Sequence, residues 1–497
     1  MTSSKISDQS AEAGTHSSLF SLKSHRLRIC LFLLLALYMG SANRMALSTG
    51  IVCMVNISSA AHHDSNSSYS SQCVRPGSKS IDDELAVEGH LNWTPSQQSF
   101  LLSSSFYGSF ITIFVSGAII DQFSPSKILS VGLIISAIFT VVAPFLAEIS
   151  YEVLVGSRVV IGMAESFINP AINMLATRWF PTSEKTTLAA LYTSGLQFAA
   201  GGASLLAAQI CRSTTLQGWP AIFYIFGAVT LIFVVVWFIF VNDRPSASRW
   251  TSETEKKYLE EHIVANKKKP SLRTSPWRAL ATSIPVHSIL LCSFAFGFST
   301  STMQAYLPTY LREQLALPVD KIGLYTLAPF VAQIIAKTIC GPLTDYVAMK
   351  GIVSLTTATK IAQSLGSFGA SGALMAFAYF PTCENPGSAL PILIIYGAVY
   401  AGGVCGFYTS LLTIAPKYTG TLSALSQLFS MLACIASSTL VTTLTSMETP
   451  FKWPIVFGCA SLLQAGAGAH YLFCGSTEQQ YWSDGPREKE KEETPSV

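Results

Sequence analysis

Charge is scarce in this chain. Asp, Glu, Lys and Arg make up 12% of its 497 residues, about half the share found in soluble domains. So little charge, with 50% of residues hydrophobic, excludes a large wet surface. It also excludes disorder, a collagen-like chain and a long coiled coil. No excess of one sign exists either: the net charge is +3, too small to argue for a nucleic-acid partner. The 11 cysteines are scattered singly, with no C-x-x-C pair and no His at ligand spacing. A zinc or disulfide framework is therefore not expected, and most of the thiols lie in apolar runs as small hydrophobes. Cys73 and Cys383 fall in loops expected on one side, where a disulfide between them is allowed. Enzyme signatures are missing as well. G-x-S-x-G, a P-loop, H-E-x-x-H and an intramembrane His pair are all absent. The chain is read as no enzyme, with no metal and no organic cofactor.

Long apolar runs are what the sequence does have. Blocks of about 20 residues, the length that crosses a bilayer, occur twelve times. They lie near 27–55, 98–119, 128–147, 151–176, 187–210, 219–241, 285–311, 322–346, 357–380, 389–413, 420–445 and 452–474. The first is too long for a signal-peptide core, since apolar character continues past Gly40-Ser41-Ala42 to Val55. The expected class is an all-α membrane protein of twelve transmembrane helices in two six-helix bundles, 27–241 and 285–474. A polar linker at 242–284 joins them, with a short amphipathic helix at 251–266. The Ser-rich stretch 1–26 is read as a disordered cytosolic tail and 475–497 as a cytosolic tail, whose charge run Arg487 to Glu493 is read as solvated.

Orientation follows from basic residues. Of 31 Lys and Arg, 22 fall on the side that holds both termini and the linker, 6 on the other side and 3 within spans. That bias places both termini in the cytosol. The N-x-[S/T] sequons at Asn56, Asn66 and Asn92 all lie in the loop 56–95 after span one, which is expected to face the lumen or the exterior and carry glycans.

The two halves share a faint repeat. Gly117-x-x-x-Asp121 closes span two and Gly341-x-x-x-Asp345 closes span eight. Small residues let helices approach, and a carboxylate can accept from a helix N-terminus. Asp121 and Asp345 are thus candidate gating residues between bundles. Duplicated six-span halves rocking about a central site are the architecture of major facilitator transporters.

Charges deep in the membrane are functional candidates, because each costs about 2.5–3.5 kcal/mol on insertion scales. Here they are Arg44, Arg158, Glu165 and Lys337. Arg158 and Glu165 are seven residues apart, so they share a helix face about 10 Å apart and do not pair along it. Asn169 continues that face, and Pro170 frees the carbonyl of Ser166. Desolvation makes Glu165 a candidate proton-coupling carboxylate with Arg158 beside it; the plain alternative is a static ion network. Arg44 sits in a polar interruption of span one. Span seven has a matching interruption at Ser299-Thr300-Ser301-Thr302, followed by Gln304 and Tyr306. Paired breaks of this kind point to a transport site, and guanidinium suits carboxylate or phosphate. The expected substrate site comprises Arg44, Tyr107, Asn169, Ser301, Gln304 and Tyr306. A structural Arg44–Glu165 pair and helix–helix bonding by the Ser/Thr run are the alternatives. Lys337 reads more readily as a snorkelling side chain. In span ten the glycines and tyrosines from Tyr396 to Tyr408 read as packing, as does the Gly195, Ala199, Ala203 face of span five.

These segments resemble the anion:cation symporter branch of the major facilitators, which includes sialin, the vesicular glutamate and nucleotide transporters and the type I sodium–phosphate cotransporters. The likeness runs over residues 27–482 and is carried by Asn43-Arg44 through Asn56, by Arg158 to Glu165 with Asn169-Pro170-Ala171, and by Trp179-Phe180-Pro181 with Glu184-Lys185. Pro276-Trp277, Ile414 to Tyr418 and Glu478 to Trp482 complete it. The resemblance implies anion transport coupled to H⁺ or Na⁺, with Arg44 on the substrate and Glu165 carrying the proton beside Arg158. Three positions depart from it. Leu102 stands where vesicular glutamate transporters have His, Phe296 where they have a second Arg, and Asn169 where many members have an aromatic residue. Losing one cation weakens the case for a dicarboxylate and leaves a monovalent acid or phosphate. The expected partners are a small anion and the bilayer of a plasma or endolysosomal/vesicular membrane, for a monomeric protein. An anion channel and a non-transporting sensor or scaffold are the rival readings.

Overall fold

A computed structural model describes residues 24–55, 91–212, 218–263, 277–317, 319–447 and 451–484. Twelve helical spans are present. The first six are α1 (His25–Met54), α2 (Pro95–Gln122), α3 (Pro125–Ile149), α4 (Tyr151–Glu165, then Ile168–Trp179), α5 (Lys185–Phe198, then Ser204–Arg212) and α6 (Pro220–Phe240). The second six are α7 (Ile284–Ser301, then Leu307–Glu313), α8 (Val319–Met349), α9 (Leu355–Tyr379), α10 (Ala389–Tyr400, then Thr409–Thr413), α11 (Thr419–Ser446) and α12 (Lys452–Cys474). Ten of these are long and apolar enough to cross a membrane among the described residues; α5 and α9 are not in that set. For α5 the reason is burial. Most of Lys185–Gly195 is buried in protein, so polar Thr186, Thr187, Thr193 and Ser194 meet helices rather than lipid. The outer surface carries large apolar side chains such as Phe473, Leu462, Phe380 and Leu365, a density that only a lipid solvent tolerates.

Each broken span has a local cause. Pro170 stands four residues after Ser166, and the helix breaks at Ser166-Phe167 as the missing donor requires. The Ser166 hydroxyl bonds the Met163 carbonyl at 2.9 Å. α5, α7 and α10 are interrupted by single π turns at Ala199–Ala203, Thr302–Tyr306 and Val404–Tyr408. In α10 the Gln363 side chain of α9 accepts the Phe407 N–H at 3.0 Å, which satisfies a donor in the π turn.

The end at which α1 begins and α12 ends is called the terminal face here. A short linker helix, Glu253–His262, is clasped to it. Glu255 accepts from the backbone of His25 (3.0 Å) and Arg26 (3.2 Å) and from Arg26 Nε (3.0 Å), which caps α1 with a carboxylate. Arg26 continues to Glu184 at 2.6 Å. Burial pushes the Glu184 carboxyl above its ordinary 4.5, with the Arg26 charge pulling it back.

One reading of the sequence needs correction. Cys53 and Cys383 each stand in a disulfide, although Cys53 ends an apolar run; Cys73, the partner expected for Cys383, lies outside the described residues. The start of the C-terminal tail packs on the bundle. Gln480 donates to the Ile414 carbonyl at 2.9 Å and Trp482 is buried against Tyr418, because an indole gains more under the bundle than in water. Asn92 is exposed at the face opposite the termini, just before α2; Asn56 and Asn66 lie outside the described residues.

Candidate functional site

Arg44 and Glu165 meet directly. Arg44 Nε donates to Glu165 Oε2 at 3.0 Å and a terminal nitrogen donates to the same oxygen. The arrangement is lopsided: the Arg44 side chain is 40% exposed and Glu165 only 3%. The guanidinium also lies over the Phe106 ring of α2 at 5.6 Å. Its charge is felt at Cys434 on α11, whose thiol donates to the Gly297 carbonyl of α7 at 3.8 Å. Arg44 thus lies against α2 and α4, with α11 near enough to feel its charge. The second oxygen of Glu165 has no hydrogen-bond partner.

Arg158 lies deeper on the same helix and is 2% exposed. Two of its nitrogens are unbonded, and its guanidinium sits over the Phe223 ring at 5.7 Å. It does not pair with Glu165, as the seven-residue spacing dictates, though it adds to the positive field there. Three charges thus share one region of the N-terminal bundle with unfilled bonding capacity on both the acid and the base.

The other expected site residues scatter. Ser301 faces Cys434. Asn169 is half-buried on α4 and Gln304 is exposed in the α7 π turn. Tyr306 packs against the core around Val441 and Val456. Tyr107 is 52% exposed and meets Phe100; its neighbour Phe106 is the residue at Arg44. Thr300 and Thr302 bond Tyr400 and Ser437, both at 2.9 Å, so that part of the run ties helices of the C-terminal bundle together. Phe296 stacks on Tyr400 at 4.3 Å between ring centres, leaving that part of the C-terminal bundle apolar.

Toward the terminal face the bundles are joined by two matching latches. Asp121 of α2 accepts from the backbone of Gly420 (2.8 Å) and Thr421 (3.1 Å) and from the Thr421 hydroxyl (2.5 Å). Asp345 of α8 accepts from the Thr187 backbone and hydroxyl, both at 2.7 Å. Each carboxylate caps the first turn of a helix in the opposite bundle, where unpaired N–H groups and the helix dipole favour an anion. The glycines one turn earlier permit the approach. A Cβ on Gly117 would lie 2.5 Å from Thr421 Cα, and one on Gly341 would lie 3.0 Å from Ala190 Cβ.

Two further groups at this inter-bundle contact escaped the sequence reading. Asn173 donates to Ser423 (3.0 Å) and accepts from Tyr192 (3.0 Å) and Tyr408 (2.7 Å). Lys185 donates to the Leu412 carbonyl at 3.2 Å near the end of α10. A lone Asn one turn beyond Asn169, in an otherwise apolar stretch, was the available signal.

Comparison with known proteins places this geometry. The Major Facilitator Superfamily model matches residues 83–438, and the chain belongs to that superfamily. Its curated relatives set it in the anion:cation symporter branch. An uncharacterised transporter, slc-17.3, of Caenorhabditis elegans is 30% identical over 96% of this chain and 94% of its own. A putative inorganic phosphate cotransporter of Drosophila ananassae is 29% identical, covering 92% and 94%. Vesicular glutamate transporter 3 of Danio rerio is 26% identical, covering 79% and 66%. Among solved structures, the proton:xylose symporter XylE superposes with a TM-score of 0.60 at 16% identity, covering 90% of this chain and 96% of its own. The protein is a secondary active transporter of the major facilitator fold.

Proposed function

We propose that the protein carries a small carboxylate or phosphate anion together with a proton by alternating access, and that Arg44 and Glu165 couple the two. The observation that carries this reading is the shared Arg44–Glu165 contact, solvent-facing on the basic side and buried on the acidic side. While Glu165 is ionised it occupies Arg44. A proton on Glu165 removes that competitor and leaves the guanidinium fork free for an incoming oxyanion. Losing the proton restores the pair and expels the anion.

Relatives named for phosphate, urate and glutamate support the anion class. One coupled proton suffices for tenfold accumulation per pH unit, about 1.4 kcal/mol. The positive bias of the linker side supports cytosolic termini, so the terminal face, held by the two latches, is the cytosolic gate. The test is uptake of labelled phosphate, urate and glutamate into proteoliposomes under imposed pH or Na⁺ gradients. Glu165→Gln is expected to keep anion exchange and to lose pH-driven accumulation. Full pH-driven accumulation by that variant defeats the coupling role, and accumulation driven only by Na⁺ replaces the proton with that ion.

A further inference from the structure

The sequence leaves Lys337 free to reach the membrane surface, and the structure does not place it there. Its side chain is 1% exposed. The ammonium points across the bundle interface, donating to Gln197 Oε1 at 2.8 Å and to the Thr193 hydroxyl at 3.3 Å, both on α5. Among the described residues no carboxylate pairs with it. Cys405 of α10 is the other polar neighbour that feels its charge. A cation so placed has two neutral oxygens for three donors. Removing an ammonium from water without a counter-ion is among the costlier arrangements a helix bundle can hold.

Depth along the helices shows where this cation acts. At 1.5 Å per residue, Lys337 lies about 18 Å from the end of α8 at Met349, and Arg44 about 28 Å from the start of α1 at His25. Lys337 is thus nearer the terminal face than Arg44. It is two turns from the Asp345 latch, on the same helix and against the same partner, α5. Thr187 of the latch and the Gln197 and Thr193 oxygens at the ammonium lie on one helix, α5, so any parting of α5 from α8 would take all of them from α8 together.

We infer that Lys337 is a second anion-binding cation, which receives the carboxylate or phosphate passenger in the half of the pathway nearer the termini once α5 and α8 part. This rests on the transport reading above. In the closed state Gln197 and Thr193 stand in for the anion's oxygens; in the open state the passenger replaces them.

The experiment uses full-length protein in vesicles of defined orientation, with labelled phosphate, urate and glutamate as probes, and measures apparent affinity separately from each face. Lys337→Gln is expected to weaken affinity from the terminal face at least tenfold and to change it less than threefold from the opposite face. Lys337→Arg is expected to restore it to within threefold. Unchanged affinity on both faces overturns the assignment. So does equal weakening on both faces with a lowered unfolding temperature, which marks a structural tie. Lys337→Met serves if the Gln variant does not elute as a folded monodisperse species, and failure of both to fold also marks a structural residue. Wild-type vesicles that move none of the three anions overturn the transport reading and this assignment together, whereas wild-type transport with an indifferent Lys337 defeats this assignment alone.

Discussion

The gate and the centre of this molecule follow opposite rules. At the gate the bundles repeat one device: a glycine, a carboxylate one turn later and the capped N-terminus of a helix in the other bundle. Asp121 reaches Gly420 and Thr421 as Asp345 reaches Thr187. At the centre the symmetry is gone. Arg44, Arg158 and Glu165 all belong to the N-terminal bundle, while the C-terminal bundle offers the Phe296–Tyr400 stack and, lower down, Lys337. A rocking motion needs equivalent latches, since both halves pivot on one interface. Recognition of a charged passenger has no such requirement and concentrates cost where the charge must be held.

The largest expected effect lies in the asymmetric centre. Arg44→Ala removes a guanidinium that is both partly exposed and paired, and transport efficiency should fall at least 100-fold, about 2.7 kcal/mol; uptake kinetics in proteoliposomes measure it. Efficiency within threefold of wild type would mean that the anion is held elsewhere.

The latches sharpen the comparison from the other side. Gly117→Ala meets backbone at 2.5 Å, whereas Gly341→Ala meets a methyl at 3.0 Å. The first should favour the open terminal face more than the second, read as faster maleimide labelling at Cys340. Equal rates would show that the two approaches are mechanically equivalent. Asp121→Asn should weaken closure by about 1–2 kcal/mol and Asp345→Asn by less, because Asp121 accepts three bonds and Asp345 two. The same labelling assay ranks them, and a reversed order would tell against cap bonding as the source of closure.

The smallest effect concerns the clasp of α1. Burial raises the Glu184 carboxyl above its ordinary range, so the folded state holds that proton more tightly than the unfolded one. The resulting stabilisation is present below the ordinary carboxylate range and is lost as pH rises through the raised value. Thermal unfolding of wild type and Glu184→Gln between pH 4 and 7 should show wild type losing ground to the variant as pH increases. Parallel curves would assign the pH dependence to other groups.

Much of this was legible because lipid is a demanding solvent. It forces backbone bonds inward and apolar side chains outward, so composition and run length set twelve spans, and each helix ends within three residues of its apolar run. The same demand singled out the buried charges and the Gly-x-x-x-Asp repeat, and a proline with its missing donor located the break in α4. What the sequence could not decide was who meets whom. The spacing within α4 forbids an Arg158–Glu165 pair, but only the packing of α1 against α4 gives Glu165 to Arg44. Lys337 has the same chain neighbours whether it snorkels or crosses the interface, and the position of α5 settles that. Asn173 is one polar residue among many until Tyr192, Ser423 and Tyr408 arrive from three other helices. Periodicity and transfer energy act along one chain segment and are written in it; a contact between distant segments depends on the orientation of both, which only the assembled bundles fix.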